Sequence, residues 1–237
     1  MSVYPPGYRP GCLPRKSRFG EICSLAKEKI PIIPEGEWDQ WIGKVTLRPL
    51  VWVVLNQLNV GSCASESSTQ SLMLGREIAG QPEVLLNPYY VYHTVSHGRD
   101  SGSSIDENLD FLRSNGCASE EIWPRSKGWK GTPSAEANED AKKYKIVEFY
   151  DIGTTQECVS ALLCGFPVVY GADGHAVCAI AHLNAKEPQI VNSWGESWKD
   201  GGFGVWVGYN QIGWGYGMYA VRTTGMSDSP TPPEPVA

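Results

Sequence analysis

Several things are scarce in this sequence. It has no apolar run of membrane-spanning length: the longest near its front, LVWVVL, is six residues, where a spanning helix needs about twenty. It has no excess of positive charge. With 20 basic against 26 acidic residues, a net charge of −6 and a pI near 5.3, it lacks the basic face with which a general nucleic-acid binder neutralises phosphates. Neither a membrane nor a nucleic acid is therefore expected as a partner. Its four histidines are scattered, and its seven cysteines, at 12, 23, 63, 117, 158, 164 and 178, contain no CxxC pair. That excludes the usual zinc spacings and predicts neither a metal nor an organic cofactor. The N-terminal stretch MSVYPPGYRPG lacks the apolar centre of a secretory signal, which leads to the expectation of a cytoplasmic protein.

The 237 residues, 41% hydrophobic and 19% charged, can bury a sizeable core and suit one large domain or two lobes sharing a cleft. Residues 1–30 read as an arm. They carry six basic side chains against Glu21 and Glu28, a net +4, which leaves −10 for the remainder of a chain of −6. Prolines at 5, 6, 10 and 14 favour an extended course, so the arm is expected to lie on its own acidic body and to restrain it. Residues 226–237 have no core-forming pattern and read as a flexible tail. Between these ends the texture changes once. CASESSTQSLMLGREIAG, NPYYVYHTV and SIDENLDFLRSNG have helical signals, whereas YKIVEFYDI, FPVVYG, HAVCAIAHL, QIVNSW, FGVWVGY and MYAVRT read as strands, interrupted by one helix, TQECVSALLCG. The expectation is a helical lobe over about 60–125 and a sheet lobe over about 126–225, within a domain of 31–225.

The chemistry concentrates in three stretches. In LNQLNVGSCASESS, Cys63 opens a helix, where unpaired backbone N–H groups and the helix dipole stabilise a thiolate. The same N–H groups can receive an oxyanion, Gln57 can add an amide donor, and the small Gly61 and Ser62 let a substrate backbone approach. The alternative of a helix cap with an ordinary cysteine explains Ser62 and Cys63 but leaves the glutamine idle. In YGADGHAVCAIAH, His175 starts a strand at a glycine-flanked corner, the best position for a base. His182 lies seven residues on and points to the opposite face, while His93 and His97 carry no other catalytic mark. In QIVNSWGESWKDGGFGVW, the Asn192 amide can orient an imidazole and Trp194 can shield that bond from water. The bland reading, a turn with a core tryptophan, does not require this company.

Together, NQLNVGSC, GHAVCAI and IVNSWGESWKDGGFGVW resemble the papain-like cysteine peptidases, and LLNPYYVYHTVSHGRDSGSSIDENLDFLRSNGCASEEIWP resembles their bacterial and viral branch. The resemblance spans roughly Leu50 to Thr223. It implies an α+β fold of two lobes, helical and β-barrel-like, with the active site in the cleft between them. It implies Gln57 as oxyanion-hole donor, Cys63 as nucleophile, His175 as acid/base and Asn192 as orienting residue. It also implies a substrate-binding set of Gly61, Ser62, Gly102, Ser103, Asp173, Gly174 and Trp194. The activity implied is endopeptidase cleavage of peptide or protein substrates through a thioester. An amidase or acyltransferase on the same fold, or a non-catalytic binding protein, is the alternative. Three departures stand out: Val60 replaces the first cysteine of the family pattern C-G-[SA]-C-[WY], Ala64 replaces its aromatic residue, and Cys63 and His175 are 112 positions apart rather than roughly 130. The shortening falls between Phe166 and His175.

Overall fold

The chain begins extended. In a computed structural model, which describes Tyr4 and residues 6–231, a two-residue strand β1 (Cys12–Leu13) and a one-turn helix α1 (Ala26–Lys29) precede two 3-10 turns, Glu35–Trp41 and Arg48–Leu50. The helical part follows with α2 (Cys63–Ile78), α3 (Pro88–Val95), β2 (Ser103–Ser104), α4 (Ile105–Ser114) and α5 (Ala135–Ala141). Then come β3 (Ile146–Asp151), α6 (Thr155–Leu163), β4 (Val168–Ala172), β5 (His175–Asn184), β6 (Glu187–Val191), β7 (Phe203–Gly204) and β8 (Met218–Thr223). The last six strands form one antiparallel sheet in the order β3-β8-β4-β5-β6-β7, and β1 pairs parallel with β2.

Local chemistry sets the helix starts. The Asn87 side chain accepts the Tyr89 N–H at 2.9 Å ahead of α3, and Thr154 Oγ1 accepts the Glu157 N–H at 3.1 Å ahead of α6, each satisfying a donor that the first turn leaves unpaired. Helix α2 is polar in sequence yet buried from Cys63 to Arg76. Its serines make this tolerable by bonding inside the protein, Ser71 Oγ to the Ser68 carbonyl at 2.7 Å and Ser65 Oγ to Asn108 Oδ1 at 2.5 Å.

Two main cores flank the sheet. Leu72, Tyr92, Ile105 and Leu109 from the helices meet Phe149 and Tyr219 on one face. Trp38, Trp41 and α6 meet Tyr170, Val177 and Ile190 on the other. The fold is α+β in two lobes, but the division along the chain differs from the sequence reading. Helix α5, beyond residue 126, puts Ala137 and Ala141 into the helical core, while Trp38 and Trp41, before residue 60, join the sheet side. Each small element follows the apolar face that it can cover, whatever its place in the sequence. Met226, the first residue of the expected tail, is buried against the sheet lobe. Residues 232–237 of that tail, and residues 1–3 and Pro5 of the expected arm, lie outside the described residues. Among the described residues no helix is long and apolar enough to cross a membrane.

Candidate active site

Cys63 is the first residue of α2 and is fully buried. The loop before it is bent by an Asx turn, in which Asn56 Oδ1 accepts the Leu58 N–H at 3.0 Å and Leu58 takes a positive φ of 55°. That turn aims the Gln57 side chain inward, where it is fully buried. Ser62 does not cap the helix backbone; its hydroxyl instead donates to Glu66 Oε1 at 3.1 Å.

The histidine arrives from the sheet. Asp173 and Gly174 form a two-residue hairpin turn with φ of 52° and 75°, and they place Ala172 opposite His175. Both positive angles match the Asp-Gly preference of this turn class. This turn replaces the longer loop whose shortening the sequence registered. His175 Nε2 lies 2.8 Å from Asn192 Oδ1; since an amide oxygen only accepts, the ring donates from Nε2. Its Nδ1 is buried and has no hydrogen-bond partner among the described residues. Trp194 stacks on the ring, centroids 4.6 Å apart at 22°, and covers the His175–Asn192 pair. A backbone bridge between Asn56 and Trp194, with the Gln57 N–H donating to the Ser193 carbonyl at 2.8 Å, fixes the Gln57 loop beside the Asn192 loop.

Gln57, Cys63, His175, Asn192 and Trp194 therefore converge where α2 meets β5. Of the expected substrate-binding residues, Gly61, Gly102, Ser103, Asp173 and Gly174 line one trough, and the N-terminal arm lies in it. The Gly11 and Cys12 N–H groups donate to the Gly174 carbonyl at 3.0 and 2.9 Å, and the Ser103 N–H donates to the Gly11 carbonyl at 2.9 Å. A Cβ at Gly11 would overlap the Gly61 carbonyl, so only glycine fits this crossing. Tyr4 donates to the Asp173 carbonyl at 2.7 Å and sets its ring edge against His175, and Tyr8 donates to the Trp194 carbonyl at 3.0 Å. Gln57 Nε2, the expected oxyanion donor, donates to the carbonyls of Val60 at 2.9 Å and Arg9 at 3.2 Å.

Against this geometry the comparisons with known proteins fall into place. Xylellain, a cysteine protease from Xylella fastidiosa, superposes with a TM-score of 0.70 at 20% identity, over 92% of this chain and 96% of that one. The chain has the papain-like fold. Digestive procathepsin L 3 of the Tenebrio molitor larval midgut gives 0.65 at 16% identity over 84% and 75% of the two chains. A structure from work on the mite allergens Blo t 1 and Der p 1 gives 0.58 at 15%, over 83% and 76%. No family model and no curated protein matches the sequence.

Within this papain-like fold the electrostatics differ from the sequence expectation. Cys63 was expected to be a stabilised thiolate. Burial instead pushes its pKa up to about 12, outweighing the lowering by the backbone N–H groups of Ala176, Gly11 and Ala64. Burial likewise pushes His175 down to about 4, against the opposing effect of its hydrogen bond to Asn192. With the arm in the trough, thiol and imidazole are both neutral. The other histidines stand apart: His182 bonds the Tyr209 hydroxyl at 2.9 Å in the sheet-side core, His93 lies against the Trp129 carbonyl, and His97 faces Glu107 on the surface. All seven cysteines are free thiols.

Sequence reasoning missed three contributors. Ser193 Oγ donates to Gln57 Oε1 at 2.8 Å, which turns the amide nitrogen toward the cleft. Asp100 accepts from the Gly61 N–H at 2.8 Å and from the Tyr92 hydroxyl at 2.9 Å, holding the loop where the missing cysteine of the family pattern stood. Ser193 lies inside NSWG and was within reach of that motif, whereas nothing local marks Asp100. The third is Arg125, which pairs with the buried Glu66 at 2.7 Å.

Proposed function

We propose that this chain is a cysteine endopeptidase that hydrolyses peptide bonds through a Cys–His–Asn site and a thioester acyl-enzyme, with its own N-terminal arm as inhibitor. The observation that carries the reading is the His175–Asn192 hydrogen bond of 2.8 Å under the Trp194 ring, on the strand that packs against the helix opened by Cys63. Likeness to solved structures of a cysteine protease and a procathepsin adds support.

With the arm displaced, the Cys63 thiol passes its proton to His175 and the thiolate attacks the scissile carbonyl, whose oxyanion the Gln57 amide and the Cys63 N–H hold. His175 protonates the leaving amine, then draws a proton from water to release the acid, while Asn192 keeps its ring in the productive orientation. Gly102 and Ser103 pair with substrate backbone at the trough edge, and Asp173, Gly174, Gly61 and Ser62 shape its walls. The arm competes for these groups, since Gly11 takes the Ser103 N–H and Arg9 takes the Gln57 amide. Seven unpaired thiols favour a reducing, cytoplasmic setting.

The test is reaction with a peptide chloromethyl ketone followed by mass mapping, alongside cleavage of denatured casein without an added amine. Labelling at Cys63 with casein cleavage is expected, and Cys63→Ala loses both. Labelling with no cleavage of any protein, but with transfer to an added amine, would replace the peptidase with an acyltransferase on the same fold.

A further inference from the structure

Glu66 is fully buried one turn after Cys63, and the mechanism above gives it no part. A carboxylate without solvent needs a strong reason to be there. Its partner is Arg125, whose Nη2 donates to Glu66 Oε1 at 2.9 Å and Oε2 at 2.7 Å, while Nη1 donates to the Asn56 carbonyl. Glu66 Oε1 also accepts from the Ser62 hydroxyl. The guanidinium lies over the Tyr89 ring at 4.5 Å, and the Tyr89 hydroxyl donates to the Gln57 carbonyl at 3.3 Å. Glu120 holds Arg125 from behind, accepting its backbone N–H at 2.6 Å.

These bonds reach both ends of one loop. Asn56 adjoins Gln57, Ser62 adjoins Cys63, and between them Leu58 sits at a positive φ that a non-glycine residue adopts only at a cost. We propose that the buried Glu66–Arg125 pair is a positioning unit that sets the spacing between the two oxyanion donors, the Gln57 amide and the Cys63 N–H, by clamping the 56–62 loop at both ends. One guanidinium nitrogen, Nη2, bridges both carboxylate oxygens while Nη1 is held by the Asn56 carbonyl, so the planar group is fixed in orientation as well as in distance. Among the described residues neither side chain hydrogen-bonds the thiol or the imidazole; the Glu66 charge adds to the raising of the Cys63 pKa, an effect that acylation and alkylation share and that cancels in their ratio.

The inference rests on the peptidase reading, and its test separates the two. In the full chain, kcat/KM for a fluorogenic peptide and the rate of Cys63 alkylation by iodoacetamide are measured together. Both reactions need the arm to leave, so their ratio is independent of arm occupancy. Alkylation is a displacement at carbon that forms no oxyanion, whereas acylation does. Arg125→Met is expected to lower the ratio of hydrolysis to alkylation by roughly 10²-fold, the scale of a misplaced catalytic group, and Arg125→Lys recovers part of it. Glu66→Gln, which keeps the volume and the Ser62 bond, lowers the ratio in the same direction by a smaller factor and serves if Arg125→Met does not fold. A folded variant with an unchanged ratio, or with hydrolysis and alkylation falling in parallel, overturns the positioning role. An unsubstituted chain that is alkylated at Cys63 but hydrolyses no peptide overturns the peptidase reading, and this inference with it.

Discussion

Tyr4 with residues 6–13, and residues 14–30, belong to the same N-terminal arm, yet they hold the body by different means. The first part touches the cleft mainly through backbone groups and tyrosine hydroxyls, at Gly174, Ser103, Asp173, Gln57 and Trp194, with Cys12 buried in the helix-side core and an outer Arg9–Asp100 pair. The second part is fastened by buried charge and apolar packing. Arg15 forms a bidentate pair with the fully buried Asp151, at 3.1 and 2.5 Å, and Asp106 accepts from the N–H groups of Lys16 and Ser17 at 2.9 and 2.7 Å. Ala26 and Ile30 enter the sheet-side core. Contacts of the first kind exchange readily for water or for a substrate backbone, while those of the second leave an uncompensated carboxylate when broken. The difference teaches that, on the inhibitory reading proposed above, the arm divides into a strap and, further out, a replaceable plug, so that a deletion of residues 1–30 as a block would confuse the two.

The comparison breaks most visibly at Arg15. Arg15→Ala leaves Asp151 buried without its cation, which costs about 3–5 kcal/mol and lowers Tm by about 6 °C or more. No gain in peptide hydrolysis should accompany it. A variant with unchanged Tm in thermal unfolding would show that the strap is no stronger than the plug.

Removal of residues 1–13 tests the other half. Loss of a tethered competitor raises kcat/KM on a short peptide by about 10²-fold, with a smaller change in Tm than Arg15→Ala produces. An equal or lower rate in the shortened chain would leave residues 4–13 without an inhibitory part.

Acid should loosen the plug and leave the strap. His175 is depressed to about 4 with the arm in place, against an ordinary value near 6.5. The neutral imidazole belongs to the closed form, so the closed form's advantage is complete above about 6.5 and is lost as pH falls toward 4. Between pH 7 and pH 5 the activity ratio of shortened to full chain should shrink by up to roughly twentyfold. A constant ratio across that window would show that the arm does not control the imidazole.

The smallest effect sharpens a single contact. Tyr8→Phe removes the hydroxyl bonds to the Trp194 carbonyl and Asn56 Oδ1, worth about 1 kcal/mol. It should raise the full chain's hydrolysis about fivefold and lower Tm by only about 2–4 °C; unchanged hydrolysis would show that this hydroxyl does not hold the plug.

Much of this was legible in the sequence because the signals were local. The cap at Asn87, the six sheet strands and the glycines that end the helices follow from backbone chemistry within a few residues. The GSC, GHAV and NSWG stretches place Cys63 at a helix start, His175 at a strand start and Asn192 just past a strand end. Other features were invisible for the opposite reason. The run CASESSTQ is polar enough to read as a surface, yet α2 is buried because its serines and Glu66 find partners in distant segments. The division of the arm depends on Asp151 and Asp106, more than 80 residues away.

By itself the sequence determined the elements and the chemical types of the site residues, since capping, periodicity and turn preference act over short stretches of chain. Only the tertiary structure decided which carbonyl occupies the Gln57 amide, that Glu66 is paired with Arg125, and that Cys63 and His175 are neutral with the arm in place. Each of these depends on burial and on charges brought together across the chain. Desolvation energy belongs to a place in the fold and to no residue in isolation.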